Sequence, residues 1–332
     1  MPDSDRRRGM GMRVLGSSGL RVSELCLGAM TFGTEWGFGA DEETSREIYS
    51  AFRDAGGNVV DTANNYTEGA SESIVGRLVA GERDSVVLST KFTLPTHKDD
   101  PNSGGSHRKS LRRSVETSLR RLGTDYVDLL WVHAWDQCTP VEETLRALDD
   151  LVRSGKVLAI GVTNTPAWVV SRSAAIAELR GWSAFCGMQV EYSLVARTPD
   201  RELLPMARAL GLAVYAWSPL ARGILAGKLP GGIERLSPSH QRGVNAAVEI
   251  AEELGTTSAR VALAWVLRQG LMPSIGARTV TQIHDNLGAL SIHLDDSHVE
   301  RLDAATRVRL GYPHDFLHER RAMFSSDADT AT

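Results

Sequence analysis

Asp61, Tyr66, Lys91 and His133 are ionisable residues that each stand at, or a few positions beyond, the end of a short apolar run. The runs are Asn58-Val59-Val60, Val86-Val87-Leu88 and Val127 to Val132. Such short β-branched runs suit buried strands. A carboxylate and a phenol five residues apart at one strand end can converge on a single small volume. Taken alone, Asp61 reads more readily as a helix cap and Tyr66 as a residue packed on its own loop. Lys91 and His133 stand where a core residue would be Val or Leu. A lone histidine there is usually a satisfied structural residue, but four ionisable groups on three adjacent strands strain that explanation.

The quartet suits proton donation to a carbonyl. A phenol ionising near about 10 is a poor donor at neutral pH. A lysine ammonium beside it stabilises the phenolate and lowers that pKa, and a carboxylate keeps the lysine charged in a partly dry site. A histidine then hydrogen-bonds the carbonyl oxygen and orients it. No protein side chain supplies a hydride, so reduction at such a site requires a cofactor.

These residues need rigid strand ends to hold them. Eight apolar runs alternate with amphipathic segments: residues 25–27, 58–60, 86–88, 127–132, 158–160, 188–190, 212–216 and 271–275. Leu111, Val115, Leu119 and Leu122 form one helical stripe. Val141, Leu145, Leu148 and Val152 form another, and Thr44, Ile48, Ala51 and Ala55 a third. Glycines 56, 123, 155, 211 and 255 stand where helices should stop. Strands linked through helices are parallel, and apolar runs must be covered on both faces. The pattern predicts a closed (β/α)8 barrel, preceded by a β-hairpin over Met12–Leu15 and Leu20–Val22. A doubly wound open sheet is the alternative, but no GxGxxG follows the first run. In a parallel barrel the chemistry lies at the carboxyl ends of strands, where the quartet falls.

Composition narrows the class. The chain has 332 residues, 42% of them hydrophobic, enough for a full core, and a net charge of −4 gives no general attraction to nucleic acid or anionic lipid. The arginines at 108–121 read as a solvated face beside Glu116 and an acidic neighbouring helix. Cys26, Cys138 and Cys186 are widely spaced, without CxxC pairs, which suits a reducing cytoplasm and argues against a structural metal. No apolar run approaches a membrane span of about 20 residues. Residues 1–11 read as a disordered tail, 12–312 as one barrel domain, and 313–332 as a C-terminal tail.

In this order the residues resemble the aldo-keto reductases, in the branch of bacterial members and channel β-subunits. The resemblance runs through Asp61 with Tyr66, Lys91, His133, Gly161-Val162-Thr163-Asn164, Gln189, Trp217-Ser218-Pro219-Leu220, and Gly276-Ala277-Arg278 with Gln282 and Asn286, over roughly residues 12 to 294. It implies an NADPH-dependent carbonyl reductase, with NADH weaker. Tyr66 becomes the general acid, Lys91 and Asp61 its tuning partners, and His133 the carbonyl-orienting group. Thr163, Asn164 and Gln189 hold the nicotinamide carboxamide, and Trp217, otherwise a core tryptophan, stacks on the ring. Ser218 to Lys228 wraps the pyrophosphate through Ser218, Pro219, Leu220, Arg222, Gly223 and Lys228. Arg278, Gln282 and Asn286, placed on one helix face at four-residue steps, reach the 2′-phosphate and adenine. Gly28, Met30, Asp61, Gly276 and Asp285 complete the expected cofactor contacts. Residues 229–243 are shorter than in many relatives, and Arg235 and Arg242 match no phosphate contact.

Met30, Trp36, Phe38, Phe92 and Trp135, each just beyond a strand end, are expected to wall the substrate pocket. They suit a small carbonyl compound with an apolar or ring-shaped body. Asp99, Asp100 and Arg108 equally allow something polar. Two other classes stay open. One is a cofactor-binding regulatory subunit. The other is a barrel hydrolase, although the strand ends offer only Asp61 and Glu191 as paired carboxylates. Oligomeric state is not legible.

Overall fold

The computed structural model describes residues 9–228 and 232–323. β1 (Met12–Val14) and β2 (Arg21–Ser23) pair antiparallel as the predicted hairpin. Eight parallel strands follow: β3 (Cys26–Gly28), β4 (Val59–Asp61), β5 (Val87–Phe92), β6 (Val127–Val132), β7 (Val157–Thr163), β8 (Phe185–Glu191), β9 (Ala213–Trp217) and β10 (Met272–Ile275). They close in sequence order, with β10 beside β3. The fold is a (β/α)8 barrel.

Side chains alternate between lumen and outer surface along each strand. The first inward residues are apolar: Cys26, Val59, Val87, Leu129 and Met272 cluster with Trp131, Tyr215 and Cys186. Leu15 and Val22 of the hairpin, both fully buried, join that cluster and close the barrel at its amino-terminal end. Trp131 crosses the lumen edge-on to Tyr215, with ring centroids 5.6 Å apart. Gly161 makes room for it, since a Cβ there would lie 2.3 Å from the indole.

The helices form the outer wall: α1 (Glu42–Asp54), α2 (Ala70–Val79), α3 (Arg108–Leu122), α4 (Val141–Arg153), α5 (Ala167–Arg180), α6 (Leu203–Ala209), α7 (Pro238–Glu253), α8 (Ser258–Arg268), α9 (Val280–Leu287), α10 (Asp296–Thr306) and α11 (His314–Glu319). In α3 the expected stripe of Leu111, Val115, Leu119 and Leu122 is buried. Its arginines are paired outward, Arg108 with Asp150 and Arg113 with Asp100. The stripe of α1 differs from expectation. Ser45, Ile48, Tyr49 and Phe52 face inward, because Tyr49 and Phe52 bury more area than Ala51 and Ala55. No helix among the described residues is long and apolar enough to cross a membrane.

The end of β5 lies further on than its apolar run suggests. β5 continues through Phe92, so Lys91 is inside the strand rather than after it. Ser89 and Lys91 therefore point into the lumen, while Leu88, Thr90 and Phe92 point out towards the helices. Of the expected tails, residues 1–8 and 324–332 lie outside the described residues. Gly11 is tied by its N–H to Glu24 Oε1 at 2.8 Å. Beyond residue 313 the chain forms α11, whose His314 meets Glu202 at 2.8 Å.

Candidate active site

Above the apolar layer, the inward residues become polar. Asp61 ends β4, and its Oδ1 accepts from Ser89 Oγ at 2.6 Å and from Gln189 Nε2 at 3.2 Å. Its Oδ2 takes a hydrogen bond from Lys91 Nζ, which also donates to the Thr62 carbonyl at 2.8 Å. The side chains of Lys91 and Asp61 are 2% and 6% exposed, so the pair is shielded from water and salt. Tyr66 follows the turn after β4, and the Lys91 ammonium lies 4.8 Å from the centroid of its ring. His133 comes directly after β6. Its ring stands edge-on to Tyr66 with centroids 5.7 Å apart. The four residues predicted from strand ends thus meet at one point.

Their electrostatics follow from burial and from one another. Burial acts to strip the proton from Lys91. The charge of Asp61 and then the Tyr66 phenol oppose it, and the lysine stays above its ordinary value. Burial also pushes the Tyr66 phenol up, Lys91 pulls it down, and Asp61 adds to the rise. The net direction is upward: Lys91 lowers the phenol, as expected, but its burial outweighs that influence. Burial, with the Lys91 charge adding, pushes His133 down to about 3, so its imidazole is neutral near pH 7. Its Nδ1 is buried without a partner.

The backbone around this face is strained. All eight described non-glycine residues with positive φ fall in loops at the carboxyl ends of strands: Thr67, Glu68, Thr93, Gln137, Asn164, Ser218, Ala221 and Arg222. Each costs about 1–3 kcal/mol and persists only where surrounding contacts enforce it.

Beside the quartet, Asn164, Met188, Gln189, Glu191, Arg201 and Trp217 line part of a cleft of about 370 Å³. Asn164 Nδ2 donates to the His133 carbonyl at 2.9 Å. Trp217 Nε1, in the wall of this cleft, and Thr163 Oγ1, next to Asn164, are buried without partners and leave hydrogen-bonding capacity unmet. Left-handed Ser218, Ala221, Arg222 and Gly223 fold residues 218–228 back on themselves, with Ser218 Oγ accepting from the Arg222 N–H at 3.1 Å. Pro219 and Leu220 lie in this turn, which ends at exposed Lys228. No ion pair engages Arg222, Lys228 or Arg278 among the described residues. Unmet donors, a folded loop and free cations suit a dinucleotide carrying phosphates.

The end of β10 differs from expectation. α9 begins at Val280 with Thr279 as its cap, so Arg278 precedes the helix instead of sharing a face with Gln282 and Asn286. Gln282 Oε1 accepts from the Arg278 N–H at 2.9 Å. Asn286 is buried and donates to the Gly276 carbonyl at 3.1 Å, bracing the turn. Asp285, expected to touch cofactor, is taken up by Arg260 at 2.8 Å and by Thr257. Gly28 pairs in register with Asp61, and a Cβ on it would lie 2.9 Å from Ser274 Oγ.

The rim is aromatic. Trp36 stands edge-on to Tyr66 at 6.5 Å and packs with Phe38 at 6.0 Å. Met30 and Phe38 are exposed at this mouth. Trp135 packs against Trp168 of α5 at 5.5 Å. Phe92 is not part of the rim: it is fully buried between sheet and helices, because Lys91 takes the inward position beside it. Trp168, Ser89 and the Thr62 carbonyl were missed from the sequence. Ser89 alone had a signal, lying two residues before Lys91 on the same strand face.

The chain matches the aldo/keto reductase family over residues 24–307. It is 39% identical to norsolorinic acid reductase of Emericella nidulans, covering 94% of this chain and 86% of the relative. It is 35% identical to an aryl-alcohol dehydrogenase of Pestalotiopsis microspora, covering 91% and 83%. An uncharacterized oxidoreductase of Bacillus subtilis is 41% identical, over 85% of this chain and 91% of the relative. With the match spanning the barrel strands and the whole quartet, the chain belongs to the aldo/keto reductase family and is an oxidoreductase.

Proposed function

We propose that the chain reduces an aldehyde or ketone to an alcohol with NADPH, using Tyr66 as general acid. The observation that carries this reading is the convergence of Asp61, Lys91, Tyr66 and His133 on one point at the barrel mouth. The reduced nicotinamide, when bound, supplies the hydride that the carbonyl carbon receives. The Tyr66 phenol gives its proton to the carbonyl oxygen as charge develops there. Lys91 stabilises the phenolate left behind, and Asp61 keeps the ammonium charged away from water. The neutral imidazole of His133 donates an N–H to the same oxygen and fixes its direction.

Thr163, Asn164 and Gln189 are placed to hold the carboxamide, with Trp217 as the stacking surface. Residues 218–228 offer the Arg222 and Lys228 charges to the pyrophosphate, and Gly276, Arg278 and Gln282 would serve the adenosine end. The rim of Trp36, Phe38 and Trp135 favours an aromatic carbonyl compound, in keeping with the names of the norsolorinic acid reductase and aryl-alcohol dehydrogenase relatives. Turnover of a panel of aromatic and aliphatic carbonyl compounds, followed by NADPH absorbance, tests the reading. Absence of turnover across the panel by protein that binds NADPH would overturn it.

A further inference from the structure

Immediately after Tyr66 the chain takes three left-handed residues in a row, with φ of 44° at Thr67, 56° at Glu68 and 96° at Gly69. Such a turn does not hold itself. On its inner side Thr67 Oγ1 donates to the Phe32 carbonyl at 2.7 Å and accepts the Ser71 N–H at 2.9 Å. On its outer side one guanidinium spans the whole turn. Arg121 Nη1, from α3, donates to the Asn64 carbonyl at 2.8 Å, two residues before the phenol. The same group lies flat against Gly69, where a Cβ would come within 2.2 Å of its Cζ.

Arg121 is itself held by a carboxylate with no exposure. Glu72 Oε2 meets it at 3.1 Å, with the Glu72 side chain at 0% and Arg121 at 26%. The other oxygen, Oε1, accepts from Thr90 Oγ1 at 2.7 Å. Thr90 is the outward neighbour of Lys91 in β5, so the back of the lysine strand is bonded through Glu72 and Arg121 to the turn that carries Tyr66. A buried ion pair is a poor stabiliser compared with apolar packing, which leaves geometry as what this one supplies.

We propose that Glu72 and Arg121 are positioning residues that set the Tyr66 phenol against Lys91. This rests on Tyr66 being the general acid. That assignment fails separately, if Tyr66→Phe keeps the wild-type rate. The charged groups that act on the phenol are Lys91 of β5 and Asp61 of β4, with Cys26 of β3 a lesser influence, and the His133 ring after β6 stands edge-on to it. Displacing it from Lys91 leaves it ionising at higher pH.

The test is steady-state reduction of 4-nitrobenzaldehyde with NADPH from pH 5 to 10 by Glu72→Gln, Arg121→Met and Arg121→Lys, with melting temperature and NADPH affinity measured alongside. A displacement of the acid of about 1 Å is enough for roughly hundredfold losses. Glu72→Gln and Arg121→Met are expected to lower kcat by about ten- to hundredfold. NADPH affinity should stay within about twofold, and the alkaline limb of the profile should move upward. Arg121→Lys, which keeps the charge without the fork, is expected to recover part of the loss. A folded Glu72→Gln protein with wild-type kcat and profile, whatever its melting temperature, would overturn the proposal. If Glu72→Gln does not fold, Arg121→Lys decides on the same readouts.

Discussion

The Lys91 ammonium sits 4.8 Å from the centre of the Tyr66 ring while its hydrogen bonds go to Asp61 and the Thr62 carbonyl. The lysine is thus anchored from behind and presents its charge to the phenol. Burial raises the phenol's pKa and Lys91 opposes that rise, so the proton stays on Tyr66 at neutral pH yet has a cation beside it when it leaves. Tyr66→Phe should slow carbonyl reduction by about 10² to 10⁴-fold, the span of a lost general acid. The ring is retained, so NADPH affinity should stay within about twofold. Single-turnover rates and a binding titration check both halves, and a near wild-type rate would remove Tyr66 from the mechanism.

Lys91→Met should show its effect in pH dependence. Of the influences on the phenol, Lys91 lowers its pKa, whereas burial and Asp61 raise it. Removing the cation leaves only the raising influences. With Tyr66 as the proposed general acid, reduction needs the protonated phenol, so the alkaline limb of kcat/KM should move to higher pH while the maximal rate drops. The change also strands the buried Asp61 charge, at a cost of about 3–5 kcal/mol. Pairing it with Asp61→Asn should recover much of the lost stability without restoring the rate. A limb that moves to lower pH would contradict this arrangement.

His133 makes a stability prediction of the opposite kind. An unfolded histidine titrates near about 6.5, whereas burial holds folded His133 down to about 3. Between those values the unfolded chain binds the proton and the folded one does not. Stability present above pH 6.5 is therefore lost as pH falls towards 3. The loss is about 2–3 kcal/mol between pH 6.5 and 4.5. His133→Asn should flatten that part of the melting-temperature curve relative to wild type. Equal acid slopes for the two proteins would mean that His133 takes up a proton without unfolding.

What was readable in the sequence, and what was not, divides along physical lines. The barrel was readable because eight apolar runs alternate with amphipathic segments, and Asp61 and His133 because each closes such a run. The reading faltered where a strand carries polar residues inward. Val87-Leu88 looked finished, so Lys91 and Phe92 both passed for loop residues, although strand alternation sends one into the lumen and the other into the wall. Arg278 was placed on a helix because four-residue steps assume that the helix has already begun. The turn after Tyr66 had no local signature at all. Thr67 and Glu68 rarely adopt positive φ, and only distant partners such as Phe32 and Arg121 impose it.

Arg278 offers the sharpest test of cofactor choice. It stands exposed at the N-terminus of α9, where free backbone N–H groups and the helix dipole favour an anion. Its own N–H is occupied by Gln282 Oε1, which fixes the backbone and leaves the guanidinium to pair with a phosphate. Preceding the helix cap, its side chain can move without dragging the helix with it. A hydrogen bond to a charged group contributes about 1.5–3 kcal/mol, so Arg278→Ala should weaken NADPH binding by roughly 10- to 150-fold. NADH has no phosphate at that position, and its affinity should change by less than about twofold. Gln282→Ala should cost NADPH less, because it frees the Arg278 backbone but keeps the charge. Titrations of both cofactors at one salt concentration give the comparison, since a phosphate contact weakens as salt rises. Equal wild-type affinity for NADPH and NADH, or equal losses for the two in Arg278→Ala, would place the 2′-phosphate away from this turn.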